Sequence, residues 1–432
     1  MIKLFLLLVF LTFSWSPTPP ADIPKANAQR IEQRIKELGQ FKEPTRGGQG
    51  RVAFSQADLE GRQYVMNLMR QAGLEVSVDF AGNIIGRRKG KYNDRKPIVF
   101  GSHIDTVPNG GDYDGCVGSI GALEVMTLLH ENNIVTEHPL EMVIFCDEEG
   151  GLTGSKAMAG KLPPDALDLT THSKKTIGEG IRFLGGDPDR LAEVKRSSGD
   201  IKAFLELHIE QGAILDTKNI QIGIVEGIVG IELWGVTVTG FANHAGTTPM
   251  NMRQDAVLAG AKLAIAVNEV VNSFEGGQVG TVGRFEASPG APNVIPGSVL
   301  MSLEIRDLDK EKIWEIYRKI EARAAEIASE TNTTIEFQHL NVTAIPALTD
   351  KRIQEVIAKS AKALGLSTHT MPSGAGHDAQ DMALIAPTGM LFIPSVGGIS
   401  HSPKEFSRPE DMAKGVDVLL RSLLAIDGME GF

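Results

Sequence analysis

The stretch Pro97-Ile98-Val99-Phe100-Gly101-Ser102-His103-Ile104-Asp105 is a short apolar run that ends on a histidine and a carboxylate. A second run, Leu140 to Cys146, ends the same way on Asp147-Glu148-Glu149, and between the two Gly118 to Leu129 carries apolar residues at helical spacing. The pattern predicts a strand, helix, strand unit. In open parallel sheets, sites form outside the carboxyl ends of strands, which is where both polar clusters fall. A third run, Ala203 to Ile209, alternates, with Phe204, Glu206, His208 and Glu210 on one face and Leu205, Leu207 and Ile209 on the other. On that spacing His208 and Glu210 point together into a cleft.

Working outward, helical spacing covers Ile31 to Leu38 and Ser55 to Ala72, with Gly73 as the stop and a Gly-rich loop from Pro44 to Gly50 between them. After Gly223 the order becomes strand 231–239, helix 255–271, strands 280–285 and 299–306, helix 310–329 and strand 334–339. This is βαββαβ, a ferredoxin-like unit. Helical spacing returns at Arg352 to Leu364, a Gly-rich loop follows at Ser373 to Gly376, and a strand from Met390 to Ile393 precedes His401. The expected fold is therefore α/β: a mostly parallel sheet in two parts, 29–224 and 343–432, interrupted by an inserted domain at 225–342.

The chain has 432 residues, 42% of them hydrophobic and 22% charged, which excludes disordered and fibrous classes. A net charge of −11 with no basic run excludes nucleic acid and anionic membrane as partners. Residues 1–28 read as an export signal: Lys3, an apolar run from Leu4 to Phe13, a Pro-rich stretch, then the small-x-small site Ala26-Asn27-Ala28. The apolar run is shorter than the roughly 20 residues that span a bilayer. The expected product starts at Gln29 and is periplasmic or secreted, with no membrane attachment left. Two cysteines, Cys116 and Cys146, are too few for a disulfide scaffold. They are expected to be buried thiols, a bridge or a metal contact being the alternatives.

The chemistry lies in four short motifs. His103 and Asp114 share one Gly-rich loop, and glycines let such a loop close around an ion. Asp105 is placed to accept the other ring proton of His103. Glu148 and Glu149 are adjacent anions after an apolar run, an arrangement that is costly without a cation. If Glu149 binds metal, Glu148 is left to take a proton from attacking water. His208 lies in Glu206-Leu207-His208-Ile209-Glu210-Gln211-Gly212 and His401 in Gly397-Gly398-Ile399-Ser400-His401-Ser402-Pro403. One loop histidine is ordinarily a satisfied histidine, and one acidic turn a solvated turn; it is their joint occurrence that points to metal. His103, Asp114, Glu149, His208 and His401 give three ligands to each of two divalent ions if Asp114 bridges. Spacing does not say how the histidines divide. Mixed imidazole and carboxylate ligation suits zinc foremost, and also manganese, cobalt or nickel.

These motifs resemble the hydantoinase/carbamoylase branch of the M20 metallopeptidases over nearly the whole chain after residue 28. The resemblance extends to Gly240-Phe241-Ala242-Asn243-His244-Ala245-Gly246-Thr247-Thr248-Pro249-Met250, Pro292-Asn293-Val294-Ile295-Pro296-Gly297, Glu304-Ile305-Arg306-Asp307 and Ser373-Gly374-Ala375-Gly376-His377-Asp378-Ala379-Gln380. It implies that His103, Asp114 and His208 hold one metal and Asp114, Glu149 and His401 the other, with Glu148 as base. It also implies that Gln211, Asn293, Arg306, Gly374 and Ala375 meet the substrate, and that His244 acts in catalysis from the inserted domain, a lid reaching across a homodimer. The implied reaction is hydrolysis of the C–N bond of an N-carbamoyl-L-amino acid or related small ureido acid. The alternatives are an exported M20 peptidase or aminoacylase, and a catalytically silent binding protein for small acids. An ion pair of Arg306 with Glu304 or Asp307 is the plainer use of that residue. In one place the chain departs from the branch: carbamoylases commonly continue the Glu-Glu-Gly motif with a residue and then Arg-Phe, whereas here Glu149 is followed by Gly150-Gly151-Leu152-Thr153.

Overall fold

A computed structural model describes residues 23–431, so most of the expected export signal lies outside the described residues. The larger sheet has nine strands. Its centre is four parallel strands in the order Thr388–Ile393, Ala203–Ile209, Ile98–His103 and Leu140–Phe145. Antiparallel strands extend it on both sides: Ile84–Arg88 and Glu75–Val78 beyond Leu140–Phe145, and Ile222–Ile228 beyond Thr388–Ile393. The Cys116–Glu131 helix joins Ile98–His103 to Leu140–Phe145 and is buried over almost its whole length.

Strand alternation sorts the core. Ile98, Phe100, Leu205, Leu207, Leu391 and Ile393 face the helices Ala28–Leu38, Gln56–Gln71, Cys116–Glu131 and Pro409–Asp427. Val99, Val143, Phe204, Met390 and Phe392 fill the opposite face. With both faces covered, the parallel strands read in sequence as near-continuous apolar runs. Both cysteines are buried and unbridged, and burial pushes the Cys116 thiol up to about 12.

The inserted domain is a separate antiparallel sheet backed by the helices Ala256–Asn272 and Lys310–Thr331. Its core includes Trp234, whose ring stacks on Tyr317 at 4.4 Å. The single strand expected over 280–285 is two short strands, Val279–Thr281 and Phe285–Ser288, both paired with Ser298–Asp307. Thr281 pairs with Glu304 but Phe285 with Met301, so one side carries an extra residue, a β-bulge that periodicity does not reveal. The crossovers also fall later than 224/225 and 342/343. The strand Ile222–Ile228 still belongs to the larger sheet, and Thr334–Ala344 to the inserted one. Among the described residues no helix is long and apolar enough to cross a membrane.

The small-x-small site takes part in the fold. Asn27 caps the Ala28–Leu38 helix through the Arg30 N–H, its own N–H donates to Glu124, and the Ala26 N–H donates to Asp417. Glu124 is fully buried and also takes two 2.7 Å hydrogen bonds from Arg30. A chain beginning at Gln29 loses this cap, worth about 1 kcal/mol, and should melt about 1 °C lower per kcal/mol lost than one beginning at Ile23. Equal melting temperatures would show that these contacts of residues 26 and 27 add nothing.

Candidate metal centre

The carboxyl ends of the four parallel strands converge. His103 is the last residue of its strand, His208 the sixth of its strand, Glu148 and Glu149 follow the strand Leu140–Phe145, and His401 lies in the loop after Thr388–Ile393. Between them Asp114 opens the turn into the Cys116–Glu131 helix. Gly115, at φ 65°, is required there, because a Cβ would lie 2.3 Å from the His103 ring. Asp147, Leu152, Gln211 and His401 also hold positive φ, a conformation that costs ordinary residues about 1–3 kcal/mol and concentrates at working sites.

Two groups of possible ligands share Asp114: His103, Asp114 and His208, and Asp114, Glu149 and His401. Asp114 Oδ1 is 3.1 Å from His208 Nε2 and 3.8 Å from His103 Nε2; its Oδ2 is 3.3 Å from His401 Nε2. His401 Nε2 lies 3.5 Å from Glu149. Each buried imidazole turns Nδ1 to a backbone carbonyl, His103 to Asp105 at 3.1 Å and His208 to Ile209 at 2.9 Å, which leaves Nε2 facing the cluster. His401 is half-exposed and stands at the mouth.

The charges fit a cation. Burial, then the carboxylates of Asp378 and Glu149, pushes Glu148 well above the usual range; burial and Asp114 do the same to Glu149. Burial foremost, with the neighbouring His208 and His401, takes His103 down to about 4 against the opposing pull of Asp114. For His208 burial is outweighed by the Asp114 carboxylate, which draws it up to about 9, so this gap favours a proton or a metal ion. Glu149 Oε1 and Gln211 Oε1 are buried with no hydrogen-bond partner. Crowded buried carboxylates, unpaired oxygens and inward imidazole nitrogens together make a donor set for divalent metal.

Several expected placements change. The Asp105 side chain does not hold the His103 proton, which goes to the Asp105 backbone carbonyl; its carboxylate takes the N–H groups of Glu148 and Glu149 instead. Glu210 turns away from the cleft to accept the N–H groups of Ile214 and Leu215, capping a short helix. Gln211 donates to Asp114 Oδ2 at 2.6 Å. Arg306 makes the ion pair with Glu304 at 2.7 Å and also donates to the Gly374 carbonyl at 2.7 Å, joining the inserted sheet to the 373–376 loop. In that loop Ala375 N–H donates to Ser373 Oγ, which meets His377 at 2.8 Å, and the His377 ring packs on His208. His244 and Asn293 stand apart and exposed, His244 in the short ladder Asn243–His244 against Val294–Ile295 and Asn293 just before it, and no interaction among the described residues joins them to the cluster.

Glu405 is absent from the sequence reading. Its Oε1 takes the N–H groups of Tyr113 and Asp114, and its Oε2 takes Ser400 Oγ and the His401 N–H, so one carboxylate fixes two ligand-bearing loops. Its position four residues after His401 was the available signal. Glu405→Ala should weaken metal binding about 10–100-fold, as loss of outer partners does, read by competition with a chelating dye; unchanged affinity would rule out this role.

A model of the peptidase family M20/M25/M40 matches residues 99–425. The chain belongs to this family. Among its M20 relatives, an N-carbamoyl-L-amino acid amidohydrolase of Geobacillus stearothermophilus is 40% identical over 91% of the chain and 97% of the relative. A ureidoglycolate hydrolase of Arabidopsis thaliana is 37% identical over 92% of the chain and 86% of the relative. The crystal structure of an amidase of the hydantoinase/carbamoylase family from Burkholderia multivorans superposes with a TM-score of 0.87 at 33% identity, covering 94% of this chain and 99% of that one. This M20 chain therefore falls in the hydantoinase/carbamoylase branch.

Proposed function

We propose that this enzyme cleaves the carbamoyl C–N bond of an N-carbamoyl-L-amino acid or related ureido acid, using two divalent ions, zinc foremost. Membership of the branch makes it a hydrolase of non-peptide C–N bonds. The observation that carries the finer reading is Glu148. Its carboxylate is outside both ligand groups, nearly buried, and 3.6 Å from His103 at their edge. His103, Asp114 and His208 would hold one ion and Asp114, Glu149 and His401 the other. Divalent ions bound there would supply Lewis acidity, which polarises a carbonyl and lowers the pKa of water.

The side chains do the rest. Glu148 takes the proton of the attacking water, keeps it while the carbamoyl carbon is tetrahedral, and passes it to the amino nitrogen as the C–N bond breaks. The products are the amino acid and carbamic acid, which decomposes to ammonia and carbon dioxide. Arg306, with two N–H groups engaged, offers the remainder of its fork to the substrate carboxylate beside Gly374 and Ala375. Gln211 orients Asp114 and faces the substrate. His244 Nδ1 accepts the N–H groups of Gly246 and Thr247, which directs a protonated Nε2 outward, suited to an oxyanion.

His244 and Asn293 reach a cluster when a second copy supplies them. Exposed Phe241, Met250 and Met252 lie close in sequence to His244 at 62, 75 and 71% exposure, apolar surface fit for burial in a homodimer. Mixing Glu148→Gln with His244→Ala after subunit exchange should restore activity that neither has alone; no recovery would place His244 in its own chain's site. Export of the enzyme, with the leader removed, completes the proposal.

Ammonia release from N-carbamoyl amino acids and allantoate, measured beside amino-acid release from dipeptides and N-acetyl amino acids, tests the reaction. Ammonia is the expected product. Turnover confined to peptides or acyl amino acids would overturn the proposal.

A further inference from the structure

The chain crosses between the two domains twice, and the crossings run side by side. Outward, the strand Ile222–Ile228 of the larger sheet passes through Val229 into the strand Gly230–Thr239 of the inserted sheet. On the return, the strand Thr334–Ala344 passes through Ile345 and Pro346 to Ala347–Leu348, which pairs with Ile228 and Gly227. Any change in the angle of the inserted domain is taken up at Val229 and at residues 345–346.

One buried side chain holds both crossings. Gln380 Nε2 donates to the Ile345 carbonyl at 2.7 Å and, in a longer bond of 3.4 Å, to the Val229 carbonyl. Two carbonyl acceptors require the NH2 side of the amide, so the partners fix which end of the group is nitrogen. Gln380 Oε1 has no hydrogen-bond partner among the described residues, a cost to the fold that an apolar side chain of the same size would not carry. The residue is tied in by its two donors. Its anchor is the frame of the metal centre: Gln380 lies in the short helix Asp378–Met382, where the Ala379 N–H donates to Glu206 on the strand of His208, and His377 just before the helix packs on His208. The same motif meets the inserted domain at its other end. The Val229 N–H donates to the Ser373 carbonyl at 3.0 Å, and Arg306 donates to the Gly374 carbonyl at 2.7 Å.

We infer that Gln380 is a positioning residue for the reaction: its amide clasps the two crossings and so sets where the inserted domain carries Arg306 relative to the metal centre. The inference rests on the function proposed above, in which Arg306 meets the substrate carboxylate. Without the two donors the metal ligands stay in place, because none of them bonds to Gln380, while Arg306 loses its fixed distance from them. A positioning group displaced by about 1 Å can lower the rate by about 10²-fold.

Gln380→Met keeps the length of the side chain without its donors, and Gln380→Glu keeps its shape but sets an acceptor against two carbonyls; the second serves if the first does not fold. With the metal-loaded enzyme and N-carbamoyl-L-alanine, either change should raise KM about tenfold or more and lower kcat less, with bound metal per chain at the wild-type level. The loss should not add to that of Arg306→Ala: the double variant should stay within about twofold of Arg306→Ala in kcat/KM, since a hinge that carries no arginine has nothing to aim. A merely structural residue would give the product of the two losses. Hydrogen exchange reads the clasp without turnover: peptides covering residues 226–232 and 344–348 should exchange faster in either variant, with the Cys116–Glu131 helix unchanged. Additive losses, a loss of bound metal, or crossings as protected as in the wild type would overturn the inference while the carbamoylase reading stood. Absence of ammonia release by the wild type from every ureido acid would overturn that reading and the part given to Arg306, and hydrogen exchange would still decide whether Gln380 holds the crossings.

Discussion

Glu148→Gln should retain its metal and lose about 10²–10⁴-fold in kcat, the range that a positioned proton carrier contributes. The amide keeps the shape of the carboxylate but cannot accept the water proton. Because Glu148 belongs to neither group of ligands, metal content should stay at the wild-type level, and the backbone bonds from Glu148 and Glu149 to Asp105 do not involve the altered atoms. KM should change little, since the loss falls on the transition state rather than on binding. Metal analysis beside steady-state kinetics decides the matter. A variant with near-normal kcat would remove Glu148 as base, and one stripped of metal would make it a ligand.

Asp114→Ala should be the most damaging change to metal binding. Asp114 is the one residue common to both groups, and its two oxygens face different histidines. Burial by itself would raise its proton affinity, but hydrogen bonds with His208 and His401 hold it well below the usual carboxylate range, so it is an anion at any working pH. Without it the three histidines lose their common counter-charge. Both ions should bind more than about 100-fold weaker, beyond the loss seen for outer partners alone, and activity should fall with them. Loss of one ion with the other kept tight would mean that Asp114 does not bridge.

The contrast between these two carboxylates shows what sequence conveys and what it does not. His103, Glu148, Glu149 and His208 were legible because each lies at or just past the end of an apolar run, and a parallel strand places that end at the sheet's carboxyl edge. The βαββαβ order of the insertion was legible from hydrophobic periodicity alone, and the structure shows it, with a bulge and the short Asn243–His244 ladder added. The illegible parts depend on distant backbone groups. Asp105 sits two residues from His103 and looks like its partner, yet the N–H groups that claim its carboxylate come from a segment more than 40 residues on. Glu210 shares the strand face of His208 but is past the strand's end, where a local turn offers it two N–H donors. Glu405 has no motif of its own; its function comes from holding together loops nearly 300 residues apart.

The substrate contacts divide in the same way. Gln211 and Arg306 have partners within one chain that explain their positions. His244 and Asn293 were drawn from motif resemblance, and the single chain leaves both exposed, with the exposed apolar residues Phe241, Met250 and Met252 near His244 in sequence.

The central claim is a pair of divalent ions held by five side chains around one shared carboxylate. Titration of the chelated enzyme with zinc, with bound metal per chain and hydrolytic rate followed together, tests it most directly. The account predicts two ions per chain and a rate that reaches its maximum only as the second binds. Saturation at a single ion, or full turnover in the chelated protein, would contradict it.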